Sequence, residues 1–154
     1  EYNKICQRNG INIVRTNPSS WFWSSTSGNS IFKKMAIGLD TYLPLSNNSY
    51  SLDKVSFEGT VLLPASRLFK PHTGIEVFDK MKVRRIKKEL YKAAINNEVY
   101  HLWWHPHNFG NNLKKSMDSL SEIINYFNEL KETFGMESVS MESFYKDYVN
   151  KKEE

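Results

Sequence analysis

An α/β fold with parallel strands is predicted for this chain, and three observations predict it. Apolar residues recur at three- and four-residue spacing over stretches longer than ten residues, as in helices with one buried face. Shorter runs rich in β-branched and aromatic residues fall between those stretches and read as strands. The two kinds alternate along the chain, and strands separated by helices pair in parallel. Only three or four strands are present, too few to close a barrel. The expected architecture is therefore the second half of a β/α barrel.

Each element follows from local signals. A helix from Tyr2 to Asn9 is ended by Gly10. The chain starts at Glu1 rather than at a methionine, at the head of that helix, so its N-terminus is expected to be either processed or, the favoured reading, cut from something longer. Ile11-Asn12-Ile13-Val14-Arg15 reads as a strand, broken at Asn17-Pro18. Ser19 to Ser30 reads as a loop in which Trp21-Phe22-Trp23 is an aromatic anchor ahead of Ser24-Ser25-Thr26-Ser27-Gly28. Ser30 caps a helix from Ile31 to Tyr42, with Pro44 as its stop. Asn47 to Asp53 is polar connection, and Val55 to Leu63 reads as one strand ended by Pro64.

The second part of the chain is more strongly patterned. A helix runs from Gly74 to Asn97, with Val83, Ile86, Leu90 and Ala93 as its inward stripe. Lys80, Lys82, Arg84, Arg85, Lys87 and Lys88 lie on the same segment. At 100° per residue all of them except Lys82 point away from the stripe. They read as a solvated face, not as a nucleic-acid groove. Asn111 or Asn112 caps a helix to Phe134, with the stripe Leu113, Met117, Leu120, Ile124 and Phe127 and a stop at Gly135. Val139-Ser140-Met141 reads as a short last strand and Glu142 to Val149 as a closing helix. Residues 1–150 form one domain and 151–154 a frayed tail.

Composition sets bounds. With 154 residues and 40% hydrophobic content the chain is one compact domain or a piece of one. Its single cysteine, Cys6, excludes an intramolecular disulfide. No apolar run approaches the 18 or so residues of a membrane span, and no signal peptide is expected within residues 1–154. The net charge of +4 permits polyanion binding without demanding it. The compartment stays open between cytoplasm and cell envelope.

Function points to the run Val99-Tyr100-His101-Leu102-Trp103-Trp104-His105-Pro106-His107-Asn108-Phe109-Gly110. Three of the four histidines and two of the four tryptophans fall within seven residues of it. A strand alternates its side chains, so His101, Trp103, His105 and His107 share one face if the strand continues through Pro106. Pro106 lacks a ladder donor, so pairing stops there and His105 sits at the strand's end. Strand ends are where α/β enzymes keep acid–base and metal chemistry. His101 and His105 have an i, i+4 spacing, but on a strand they stand about 13 Å apart. They cannot share one zinc, whose ligands lie near 2 Å.

The stretch Arg84-Arg85-Ile86 and the run from Tyr100 to Gly110, with the following helix and Ser140-Met141-Glu142, resemble the C-terminal part of polysaccharide deacetylases. These are the nodulation-type hydrolases of carbohydrate esterase family four. The resemblance spans roughly residues 1 to 150 and is strongest from His101 to Gly110. It implies an irregular (β/α) barrel of which this chain is the C-terminal half. It also implies removal of N-acetyl groups from an amino-sugar polysaccharide, such as one of a bacterial surface. Such enzymes hold a divalent metal, usually zinc, on one aspartate and two histidines, with a second aspartate as general base. A histidine in a Leu-x-x-His setting is the general acid, and Leu102-Trp103-Trp104-His105 carries that role onto His105.

The resemblance also assigns binding residues. An arginine–proline motif holds the base aspartate and lines the groove. Arg15 and Pro18 are its equivalents here, with two residues between them where the family has one. Arg15 has a second reading as a structural ion-pair partner. Trp21 and Trp23 are candidates for stacking on sugar faces, while Trp103 and Trp104 suit core packing. His107 joins Arg15, Pro18, Trp21 and Trp23 as a candidate substrate-binding residue. The family's Asp-Asp pair and its spaced metal histidines are not found in residues 1–97: His72 stands alone, and Asp40 and Asp53 have no neighbouring aspartate. No complete metal site is therefore expected in this chain; the metal and the N-terminal half of the barrel belong to a longer protein. Two other readings stay open, a non-catalytic carbohydrate-binding domain and a polyanion binder using Lys80 to Lys88.

Overall fold

Two short parallel pairings, made one after the other along a single extended segment, organise the molecule. A computed structural model describes residues 2–23, 31–46, 48–57 and 59–153, without the side chains of residues 2, 21, 57 and 149–153. Strand β1 (Ile13–Thr16) pairs in parallel with β3 (Val61–Pro64), and β2 (Ser56–Phe57) runs antiparallel to β3 on its other side. Two residues on, β4 (Arg67–Leu68) pairs in parallel with β5 (Leu102–Trp103). Between the pairings the Ala65 N–H donates to Thr16 O, while Ser66 and Arg67 both donate to His101 O. Two consecutive N–H groups on one carbonyl are the mark of a bulge, which turns the segment from one partner to the next. Neither sheet is closed.

Five helices complete a mixed α/β fold: α1 (Tyr2–Arg8), α2 (Ile31–Leu39), α3 (Glu76–Asn96), α4 (Leu113–Phe134) and α5 (Met141–Glu153). Asn112 caps α4 by accepting the Lys115 N–H, and Gly135 ends it at φ +70°, a conformation glycine adopts without strain. Val83, Ile86, Leu90 and Ala93 of α3 are all buried, as their spacing predicts. Val83, Ile86 and Leu90 pack with Phe69, Phe109, Leu120, Ile123 and Leu130 into the larger core. The smaller core gathers Tyr50, Val55, Val61, Leu63 and Tyr148. Its two tyrosines are tied by their hydroxyls, which donate to Pro64 O and Val55 O.

Several expectations are corrected. Val55 to Leu63 is not one strand: Gly59, at φ +73°, lies in the turn that folds β2 back on β3. Val139-Ser140-Met141 is no strand, because Met141 already opens α5 and, among the described residues, nothing pairs with Val139 or Ser140. β4 was not foreseen. The expected stripe of α4 is rotated. Ser116, Leu120, Ile123 and Leu130 are buried, while Leu113, Met117 and Ile124 are 46–62% exposed. The apolar arc of α4 spans about 140°, more than its contact with α3 covers. Helix α2 shows the same property more strongly. Its large apolar side chains Ile31, Phe32, Met35 and Leu39 fall within an arc of about 100° and are 47–74% exposed. Ser30 and the serine-rich stretch before it lie outside the described residues.

The elements are held together by a buried ionic network. Arg67 of β4 donates through Nε and Nη2 to both oxygens of Glu89 on α3, at 2.6 and 2.7 Å. Its Nη1 and Nη2 reach Asp40 O and Asp40 Oδ2, just past α2, at 2.8 and 3.2 Å. Arg85 pairs with Glu89 at 3.0 Å and donates to Ser46 O, so it is not part of a solvated face. The Tyr100 hydroxyl donates to Glu89 at 2.8 Å. Burial opposes the Arg67 charge, and the hydrogen-bonded Glu89 outweighs it, raising the guanidinium pKa. Two cations and two carboxylates balance. Removing one member leaves an uncompensated buried charge, which costs about 3–5 kcal/mol. Glu89→Gln should lower the unfolding free energy by about that amount in urea titration, whereas Glu142→Gln, in an exposed pair, should leave the midpoint unchanged.

Candidate functional site

The histidine run folds as a short strand and a turn. β5 ends at Trp103, and Pro106–Phe109 make one turn of 3-10 helix for which His105 is the N-cap, in extended conformation. Pro106 occupies the first helical position, where its missing N–H costs nothing. The turn is locked by a reciprocal pair: the Asn108 N–H donates to His105 O at 2.9 Å, and Asn108 Oδ1 accepts the His105 N–H at 2.8 Å. Asn108 and Phe109 are buried, and Phe109 sits in the larger core. His105 therefore has a fixed backbone while its imidazole is exposed. It stands beyond the C-terminal end of a parallel strand, as the alternation predicts.

Four predicted or neighbouring side chains come together there in one column. The Arg15 guanidinium lies over the Trp103 ring, 3.7 Å from its centroid, a cation–π contact. The Trp103 and His105 rings meet edge to face at 5.1 Å and 88°. The His105 and His107 rings stack at 5.0 Å and 12°. Trp103 is thus the platform between Arg15 and His105 rather than a residue of the larger core. Arg15, His105 and His107 are exposed and reachable. Among the described residues Arg15 makes no ion pair.

The remaining candidates are placed less directly. Pro18 is buried, so it shapes the chain after β1 and offers no contact surface. Trp21 and Trp23 lie in one turn of 3-10 helix beside α2. Trp23 is half-buried and makes no ring contact with the column; the Trp21 side chain lies outside the described residues. Trp104 packs edge to face on Phe109 and remains 43% exposed. His72 is buried and fully used. Its Nδ1 accepts the Gly74 N–H and its Nε2 meets Asp79, which also holds Lys82 at 2.9 Å. Asn108 was missed, although its place three residues after His105, with proline between, is a reciprocal-cap pattern.

The donors do not fit the divalent metal implied by the resemblance. Imidazole lone pairs lie in the ring plane, so two stacked rings cannot aim at one point. Among the described residues no group of three or more His, Cys, Asp or Glu side chains is placed to hold a metal ion. What the column can do is accept and deliver a proton at His105 and bind a flat, partly apolar ligand along Trp103 and His107.

His101 lies just beneath. It is half-buried, and its Nδ1 has no hydrogen-bond partner. Burial, and then the nearby Arg15 charge, lower its pKa from the ordinary 6.5. The unfolded chain then binds a proton more readily than the native one as the pH falls below 6.5. Stability from this group is full above that value and is lost on acidification through the depressed pKa. Urea midpoints measured between about pH 7.5 and 5.5 should fall with pH, and His101→Gln should flatten that slope.

No helix among the described residues is long and apolar enough to cross a membrane. Compared with protein-family models, with curated proteins and with solved structures, the chain matches none.

Proposed function

We propose that this chain is the C-terminal half of a (β/α)-barrel hydrolase that removes N-acetyl groups from an amino-sugar polysaccharide or oligosaccharide, with His105 as its general acid. The observation that carries this reading is the exposed His105 imidazole, held by a pinned backbone at the C-terminal end of a parallel strand and flanked by the Trp103 ring. Amide hydrolysis requires a proton for the departing amine. An imidazole beside a sugar-sized aromatic surface is suited to supply it, a contribution of about 10²–10⁴-fold. Trp103 and His107 offer ring faces against which a sugar's apolar side can rest.

The half-barrel part of the proposal draws on packing. Unclosed sheets, together with the outward apolar arcs of α2 and α4, suit a piece whose remaining faces are covered by further β/α units. The metal and the general base that the resemblance implies would come from those units. A non-catalytic carbohydrate-binding domain would share the ring surface but make no use of the His105 proton.

The test is acetate release from N-acetylglucosamine oligomers by a longer polypeptide that joins the preceding barrel half to this chain. His105→Asn should cut the rate about 10²–10⁴-fold while oligomer binding and the circular dichroism spectrum stay unchanged. Binding without acetate release, or a rate indifferent to His105, would overturn the enzymatic reading.

A further inference from the structure

We propose that the groove between α3 and α4 binds single-stranded nucleic acid, with a row of cations on its phosphates and Tyr91 against a base. The two helices pack through Ile86, Leu90, Leu120 and Ile123, and beside that contact they leave a groove of about 530 Å³. Lys80, Arg84 and Lys88 line it from α3, four residues apart. One cation therefore follows another at each turn, about 6 Å along the axis. Tyr91 continues the row three residues on and is 45% exposed. Its ring is braced by Phe134, edge to face at 5.8 Å and 79°. From the α4 wall Glu122 holds Lys87 at 3.1 Å, and the Lys87 ammonium lies 4.8 Å from the centre of the Tyr126 ring. Those contacts tie the two walls together.

On α3 alone the cations read as a solvated face. The second wall turns them into a lined groove with aromatic rings at one end. Among the described residues four cations line it against one carboxylate, Glu122. Arg84 and Lys88 are exposed. Lys80 pairs with Glu76 at 2.6 Å, but both side chains are about three-quarters exposed, and such a pair is easily exchanged for a phosphate. Like charges four residues apart weaken a helix, so the row is not what helix stability favours; an anion laid along it offsets the repulsion. A charge at every turn matches a polymer with a charge on every unit, as a nucleic-acid strand has. A chain alternating uronate with amino sugar carries its charge on every second ring. The Arg84 fork suits phosphate oxygens, and only an unstacked base can lay its face on a tyrosine.

None of these residues belongs to the His105 column, so the outcome leaves the reading above untouched. The probe is a fluorescein-labelled oligothymidylate of about a dozen units, its binding to the 154-residue chain followed by anisotropy. With about three phosphates engaged, log K should fall against log salt with a slope of about −2. Binding should then weaken about 20-fold between about 50 and 200 mM salt. Arg84→Glu should cut the affinity about tenfold or more. Lys146→Glu, an equal change of charge on α5, should leave it within about twofold. Tyr91→Ala should cost about fivefold or more and Tyr91→Phe nothing. Arg84 and Tyr91 are exposed, and circular dichroism checks that the variants fold; the salt slope of the unaltered chain needs no variant. Equal binding of a duplex of the same length, tighter binding of a heparin oligosaccharide, an affinity that survives Arg84→Glu, or no binding at the lower salt would each overturn the proposal.

Discussion

Arg67 is the residue on which most of this architecture converges. It sits in a strand of only two residues, too short to hold a position by backbone pairing alone. Its side chain fixes that strand from two directions, to Glu89 in the middle of α3 and to Asp40 at the end of α2. Buried charges are costly unless paired and hydrogen-bonded, and here the pairing is bidentate on one carboxylate and shared with a second. Such a network specifies geometry more than it adds free energy, since an apolar cluster of the same shape is often as stable. What it supplies here is an address for β4 relative to two helices.

That address is passed on to the site. β4 sets the position of β5 through the Arg67–Leu102 and Leu68–Trp103 register. Tyr100, two residues before β5, hangs on the same Glu89 carboxylate. Ser66 closes the arrangement from the other side, its hydroxyl accepting the His101 N–H. By the time the chain reaches Trp103 it is held on both flanks, and the Asn108 turn carries that order three residues further. His105 and His107 can then be exposed without being loosely placed. The contrast with α2 is instructive: its C-terminal neighbour Asp40 is locked in, while its apolar face looks outward.

Local periodicity made the helices legible, because a buried stripe repeats within the helix itself. Lys82 was even set apart correctly: it falls on the inward side of α3, and its ammonium is held by Lys70 O, Pro71 O and Asp79. Contacts distant in sequence were not legible. β4 contains an arginine and resembles a loop until Glu89 and Asp40, 22 and 27 residues away, are seen around it. The rotated stripe of α4 shows that periodicity gives an apolar arc but not which half of it a neighbour covers. At the site, His105 and its place at a strand end could be read from Pro106. The Arg15–Trp103 contact spans 88 positions and could not, and the His105–His107 stack is a product of the turn rather than of strand alternation.

The bulge at Ala65, Ser66 and Arg67 has a consequence for how sequences of this kind can vary in length. All three residues are nearly inaccessible, and their backbone N–H groups are committed, that of Ala65 to Thr16 O on one side of the segment and those of Ser66 and Arg67 to His101 O on the other. Removing or adding one residue there would exchange the two faces of β4. Arg67 would turn away from Glu89 and Asp40, and a neighbour without a charge would face both carboxylates. Substitution in this segment is a matter of volume and can be graded. Insertion or deletion is all-or-none, so among descendants of this chain the spacing from Thr60 to Phe69 should be kept even where the residues are not. The stretch from Gly135 to Ser140, which pairs with no strand, is free to lengthen.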